Sequence, residues 1–284
     1  MSRPKISVVT AVKNAVGPLR RTLESVASQT WPHVEHLVVD GGSGDGTAEL
    51  LRGQMERGRV TWWCSEPDGG IYEAMNKGVR QACGEWLLFL GAGDTLADET
   101  VLAKLAPILA TLPEDREIVY GRVTHRPESD AISNACWEEM CPRVRYGDDS
   151  IHHQGVLHRR TIFRQFGLYD ETFRIAADQL LLRRYLRDHD PVFVDLVIAN
   201  QPLDGISADP RRDVLFAEER LRVVQLTPPC GGRRHRRLVI ERRRAIYWLL
   251  KYRKSWLLRM AYKTAWFLRH PRRTLRDGFP KPLS

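Results

Sequence analysis

The 284-residue sequence has few cysteines, no long apolar run and none of the common nucleotide-binding fingerprints, and each absence removes a class of protein. Its five cysteines, Cys64, Cys83, Cys136, Cys141 and Cys230, are odd in number and form no CxxC pair. That argues against a disulfide framework or a zinc site and for free thiols in a reducing compartment. No apolar run approaches the length that spans a bilayer. MSRPK leads straight into a strand-length apolar run, without the longer core and cleavage site of a signal peptide, so a cytoplasmic location is expected. The loop after the first apolar run is TAVKNAVGP, and the missing GxGxxG takes most of the weight from a dinucleotide-binding domain. GxxxxGK[ST] is missing too, which counts against an ordinary ATPase or kinase.

What is present is a chain long enough for one large domain or two smaller ones, with ample core. Its net charge of +9 is unevenly placed. From Gly231 onward there are 17 Lys and Arg against Glu241 and Asp277, which leaves residues 1–230 with a net charge of −6. Apolar runs at Ile6–Val9, His36–Asp40 and Val60–Cys64 read as buried strands. They alternate with helical patterns, the first starting near Pro18, and with a glycine- and carboxylate-rich turn, Gly41 to Thr47. Such alternation predicts βαβ units and a mainly parallel central sheet flanked by helices.

The stretch EPDGGIYEAMNKGVRQACGEWLLFLGAGD (66–94) is the most informative. Gly69 and Gly70 let backbone N–H groups approach an anion at the positive end of a helix. Ile71, Met75 and Val79 give that helix a buried stripe, with Asn76 and Lys77 off it. Trp86–Leu90 then reads as a strand covered on both faces, and Asp94 follows its carboxyl end, where open α/β sheets bind ligands. The plainer reading of GAGD is a strand-to-helix turn with Asp94 as a helix cap.

ISVVTAVKN, SQTWPHVEHLVVDGGSGDGT, EPDGGIYEAMNKG and GEWLLFLGAGD, in that order, closely resemble the N-terminal half of family 2 glycosyltransferases with the GT-A fold. The resemblance continues through HHQGVLHRRTIFRQFGLYDETFRIAADQLLLRR and covers roughly residues 4–205, which implies a catalytic domain 1–205 and a helical, strongly basic extension 206–284. It implies that Thr10, Asp40 and Asp68 contact the nucleoside of a nucleotide-diphospho-sugar, with Asn76 and Lys77 near the nucleotide. It makes Asp94 the ligand of a divalent cation, Mg²⁺ or Mn²⁺, bridging to the diphosphate. Asp178 matches the family's base, with the alternative that it caps the following helix. A base is expected to have its pKa raised by apolar neighbours, here Ala176, Ala177 and Leu180–Leu182. His153 and Gln154 are candidate acceptor or diphosphate contacts, and GLYDETF resembles the acceptor loop, or else is a turn with two buried aromatics.

The sequence departs from the family where paired carboxylates are common, with Gly91 and Gly93 at the metal turn and Gly41 after Asp40. QxxRW and multiple membrane spans, carried by the processive synthases, are missing, so transfer of a single sugar with inversion to a glycan or lipid-linked acceptor is expected. The alternative is a catalytically impaired relative that binds nucleotide or scaffolds a glycan assembly complex. A sugar nucleotidyltransferase ranks third, because its basic glycine-rich N-terminal loop is missing. Helices are expected over Arg211–Gln225 and from about Arg233 to His270. The second interleaves cations with Tyr247, Trp248, Tyr252, Trp256, Tyr262, Trp266 and Phe267. That pattern suits peripheral contact with an anionic membrane on its inner face, or a helix packing its aromatics on the catalytic domain. No nucleic-acid motif supports the charge alone, so no nucleic-acid partner is expected.

Overall fold

A computed structural model describes residues 3–124, 132–147, 149–202 and 213–251. In chain order the elements are β1 (Ile6–Val12), α1 (Val16–Ala27), β2 (Val34–Asp40), α2 (Thr47–Glu56), β3 (Trp62–Ser65), α3 (Ile71–Gln81) and β4 (Trp86–Gly91). Then come β5 (Thr95–Leu96), α4 (Val101–Thr111), β6 (Ile118–Thr124), β7 (Ile132–Ser133), α5 (Trp137–Arg145), β8 (Val156–Arg159) and α6 (Ile162–Gln165). The chain closes with α7 (Ala177–Leu186), β9 (Val192–Asn200), α8 (Asp213–Leu226) and α9 (Arg233–Lys251).

Among the described residues the strands form one sheet in the order β3-β2-β1-β4-β8-β6-β9-β5, with β7 on β6. The β3-β2-β1-β4 half is wholly parallel, as the βαβ spacing predicts. The other half is mixed, because β8 runs antiparallel to both β4 and β6 while β9 runs parallel to β6. That reversal brings the segment before β8 to the carboxyl end of β4.

β1, β2 and β4 are buried on both faces, which accounts for their mainly apolar sequence, whereas β3 at the sheet edge is only partly buried. Val9, Leu37, Val39, Leu87 and Phe89 face a core completed by α3 and α7, while Ile6, Val8, Trp86, Leu88 and Leu90 face α4. Each such side chain contributes roughly 1.5–3 kcal/mol by leaving water. α3 lies close on β1, since a Cβ at Gly78 would come within 2.4 Å of Val9 Cγ1.

α1 starts at Val16, two residues before the expected Pro18. Its first N–H donates to Asp45 Oδ2 at 2.9 Å, so a carboxylate from the Gly41–Thr47 turn caps it from a distance. The same turn receives Asn14, whose Oδ1 accepts from Gly44 N–H and whose N–H donates to Ser43. The expected boundary at 205/206 falls in residues 203–212, outside the described residues. No helix among the described residues is long and apolar enough to cross a membrane.

Candidate active site

The carboxylates gather at the carboxyl ends of the parallel strands. Asp40 ends β2 and is buried; it accepts hydrogen bonds from Ser43, through both N–H and hydroxyl, and from Ser65 Oγ at 2.6 Å. Asp40 and Ser65 meet because β2 and β3 pair in that register. Asp68 leans over Gly41, where a Cβ would lie 2.6 Å from Asp68 Oδ2. A side chain after Asp40 is therefore incompatible with Asp68 in this position, which accounts for the departure at Gly41. Burial pushes the Asp68 carboxyl above its usual range against the pull of Lys13, 4.0 Å away, and Lys77. Thr10 lies nearby in β1, but its buried hydroxyl is engaged with His36 Nε2 at 3.0 Å.

The Gly69–Gly70 loop differs from an open anion cradle. Gly69 N–H donates to Glu73 Oε2 at 2.7 Å, and the Arg174 guanidinium donates to Gly69 O. Lys77 bridges Glu66 at 2.9 Å and Glu73 at 3.0 Å, and those bonds raise its pKa. Acidic side chains of the protein thus occupy the positive end of α3. Asn76 is off the stripe of Met75 and Val79 yet fully buried. Its Nδ2 donates to Tyr169 O and Glu171 Oε1, and its Oδ1 accepts from Tyr169 N–H. This amide fastens α3 to the 167–173 loop, and both donors of its nitrogen are in use within the protein.

Asp94 sits in a turn between β4 and β5, not at a helix start, so the helix-cap reading falls away. Gly91 N–H donates to Asp94 Oδ2 at 2.8 Å, and Thr22 Oγ1 ties the turn by donating to Asp94 O and accepting from Gly93 N–H. Gly93 has φ +109°, a conformation that side-chain-bearing residues rarely adopt, and a Cβ on Gly91 would stand 3.1 Å from Asp94 Oδ2. Both glycines are part of how the turn aims its carboxylate.

His153, Gln154 and Gly155 form a 3-10 turn before β8, not a strand, and β8's antiparallel course sets that turn at the end of β4. His153 Nδ1 lies 3.4 Å from Asp178 Oδ2. Burial lowers the His153 pKa, but its bond to Asp178 and the charges of Asp178 and Asp94 raise it overall. Gln154 is buried, and His152 is exposed with its N–H donating to Asn134 Oδ1.

Asp178 lies in the first turn of α7, whose cap position is Ala176, so the capping reading does not hold. Its side chain is 11% exposed. Oδ1 accepts from the Tyr72 hydroxyl at 2.7 Å. Burial raises its pKa, yet His153, Tyr72 and the Gln179 N–H together outweigh burial and hold it below the usual carboxylate range. This reverses the expected direction, because the apolar neighbours reckoned from sequence are adjacent in the chain while the polar partners are distant.

Tyr169 and Phe173 of the expected acceptor loop are both buried. Tyr169 packs against Tyr72, Phe89 and Phe163 at centroid distances of 5.4–5.5 Å, an aromatic floor beneath Asp178. Tyr72 was inside a recognised motif without a role, and its contact is 106 residues away. Ser43 and Ser65 are the other partners missed; Ser43's place three residues after Asp40 was a usable signal.

The sheet thus carries carboxylates at or just beyond the ends of β2, β3 and β4, with Asp178, His153 and Tyr72 joined beside them, the arrangement of a GT-A glycosyltransferase. Residues 7–188 match the profile described as Glycosyl transferase family 2, and the chain belongs to that family of glycosyltransferases. It is 31% identical over 235 residues to an uncharacterized glycosyltransferase of Mycobacterium tuberculosis, covering 82% of this chain and 88% of the relative. It is 34% identical over 179 residues to a PGL/p-HBAD biosynthesis glycosyltransferase of Mycobacterium bovis, covering 63% of this chain and 68% of the relative. A mannosyltransferase of Pyrobaculum calidifontis, solved with GDP-Man and Mn²⁺, superposes with a TM-score of 0.64 at 15% identity, covering 98% of this chain and 84% of the other. At that identity the likeness shows the fold.

Proposed function

We propose that the protein moves a single sugar, with inversion, from a nucleotide-diphospho-sugar to a hydroxyl of a glycan or lipid-linked acceptor, with Asp178 as the base. The observation that carries this reading is the Asp178 carboxylate itself. It is buried, ionised at neutral pH and held by Tyr72 and His153. A carboxylate has about four acceptor positions, so those two partners and the Gln179 N–H leave one for an acceptor hydroxyl. The acceptor proton passes to Asp178 as its oxygen bonds the anomeric carbon, and the bond to the nucleoside diphosphate breaks on the opposite face.

No group of three or more His, Cys, Asp or Glu among the described residues converges to hold a metal alone. The oxygen of Asp94 suits a hard cation, and a donor diphosphate supplies the oxygens that the protein does not. Asp94 is therefore the residue that would hold Mg²⁺ or Mn²⁺, which when bound stabilises the departing nucleoside diphosphate. The catalytically impaired alternative rested on Gly91 and Gly93, and the turn geometry gives both a place in a working site.

Asp40 and Asp68 line the nucleoside end of this reading. Peripheral membrane contact is part of the same proposal. The described part of the extension, α9, carries eight Arg and Lys against Glu241, has no buried residue over 233–248, and leaves Leu238 and Trp248 about half exposed. An exposed tryptophan and leucine on this basic helix support a lipid surface over packing on the catalytic domain. Tyr252, Trp256, Tyr262, Trp266 and Phe267 lie outside the described residues.

Melting temperature against UDP, GDP, TDP and CMP, with and without Mn²⁺, tests donor and metal together. One nucleotide should stabilise the wild type in the presence of metal, and Asp94→Ala should lose the metal-dependent part. Asp178→Asn should keep that stabilisation and lose roughly 10²–10⁴-fold in turnover. A folded wild type that neither binds nor turns over any of these nucleotides or their sugars would move the scaffold reading ahead.

A further inference from the structure

We infer that Glu219 of α8 positions Asp178 by holding the backbone that leads into α7. Glu219 is 5% exposed, and its carboxylate accepts three consecutive N–H groups: Arg174 at 2.6 Å on Oε1, and Ile175 at 2.8 Å and Ala176 at 2.9 Å on Oε2. Ala176 is the cap residue of α7 and offers no side chain to its N-terminus. A carboxylate from another helix thus holds the three N–H groups directly before α7, at the end of the helix where its dipole favours negative charge.

Asp178 stands two residues beyond Ala176, so the phase and tilt of the first turn of α7 set where its oxygens meet Tyr72 and His153. The same segment carries Arg174, whose guanidinium reaches Gly69 O in the loop before α3. One turn further along α8, Arg222 donates to Thr172 Oγ1 at 2.7 Å and lies 4.2 Å over the Phe173 ring. α8 thus grips residues 172–176 at both ends, although it lies in the extension beyond the recognised family region. A displacement of about 1 Å at a reacting group costs on the order of 100-fold in rate, which gives this grip a catalytic consequence. Glu219 is a positioning residue, since it acts on Asp178 through the main chain.

The inference rests on Asp178 being the base, and the experiment separates the two. Nucleoside diphosphate release from UDP-glucose and GDP-mannose, with water as acceptor, is measured for wild type, Glu219→Gln, Arg222→Ala and Asp178→Asn. Amide exchange over 173–177 is followed in parallel. Glutamine keeps the volume but offers one acceptor oxygen where three N–H groups converge. Glu219→Gln should keep its nucleotide-induced melting shift and donor KM, lose roughly 10- to 100-fold in kcat, and lose amide protection at 174–176. A folded Glu219→Gln with wild-type kcat overturns the inference. Should that variant not fold, the exposed Arg222 and the wild type decide. Wild-type amides 174–176 that exchange at open-loop rates, or Arg222→Ala with unchanged exchange and kcat, overturn it; slow exchange that Arg222→Ala accelerates, with reduced kcat, supports it. Turnover retained by Asp178→Asn overturns the base assignment and this inference with it. An inactive Asp178→Asn beside a wild-type-like Glu219→Gln overturns this inference alone.

Discussion

The hydroxyl of Tyr72 is the smallest unit on which the proposed chemistry depends. It donates to Asp178 from within a fully buried aromatic floor, and the negative neighbour raises the phenol's own pKa further after burial. A hydrogen bond to a charged acceptor contributes about 1.5–3 kcal/mol, and Tyr72→Phe removes it while keeping the ring. The Asp178 pKa should then rise, so the acidic limb of the kcat–pH profile should move to higher pH. An acidic limb that stays in place in a folded Tyr72→Phe would show that the hydroxyl does not tune the base. None of this was legible from residues 71–79, where helical spacing identifies the buried stripe but not which polar group a residue 106 positions away will meet.

At the scale of elements, Glu35 ties three of them together. It accepts from Ser7 Oγ at 2.5 Å in β1 and from the N–H groups of Cys83 and Gly84, which lead from α3 into β4, and it pairs with Lys5. Burial raises its pKa, but these partners lower it overall. Glu35→Ala takes the acceptor from the Cys83 N–H, leaves the Gly84 N–H with Ser7 Oγ alone, and should cost about 1–3 kcal/mol by urea denaturation. A loss within 0.5 kcal/mol, the range of a neutral surface change, would refute the anchor. The parallel half of the sheet was readable in sequence because each strand is a continuous apolar run bounded by glycine or charge. In the mixed half β5 and β7 were not, since each is two residues long and is held by pairing rather than by pattern. Asp40, Asp68, Asp94 and Asp178 stood out as candidates because their motifs are local. The burial of Asn76 was not legible, because it comes from Tyr169, which the periodicity of α3 does not contain. α1's start was misread because its cap comes from Asp45, 29 positions away.

For the molecule as a whole, pH is a lever on stability. His36 and His158 are buried and their pKa values are lowered by burial from 6.5 to about 3. The folded state binds fewer protons than the unfolded one between those values, so stability is fully present above pH 6.5 and is lost as pH falls toward 3. Between pH 6.5 and 5.0 each histidine should remove about 1.5 kcal/mol, and His158→Phe should abolish its share. Equal pH dependence in wild type and His158→Phe by urea denaturation would exclude His158 as a cause. The extension has its own test. Full-length protein should co-sediment with vesicles containing phosphatidylglycerol at low salt and be released at high salt, while a chain ending at Cys230 should stay in solution. Binding to purely zwitterionic vesicles with no salt dependence would rule out an electrostatic surface.

The order of strands in the sheet also fixes an order in time. Synthesis delivers β1 to β4 first, and with them Asp40, Asp68 and Asp94. The His153 turn comes 60 residues after Asp94, and α8, which grips the entrance to α7, follows at Asp213–Leu226. On the roles proposed above, a nascent chain that has emerged only through β4 carries Asp40 and Asp68 but not Asp178, so the residues proposed for donor recognition are made well before the residue proposed as the base and the helix that holds its backbone.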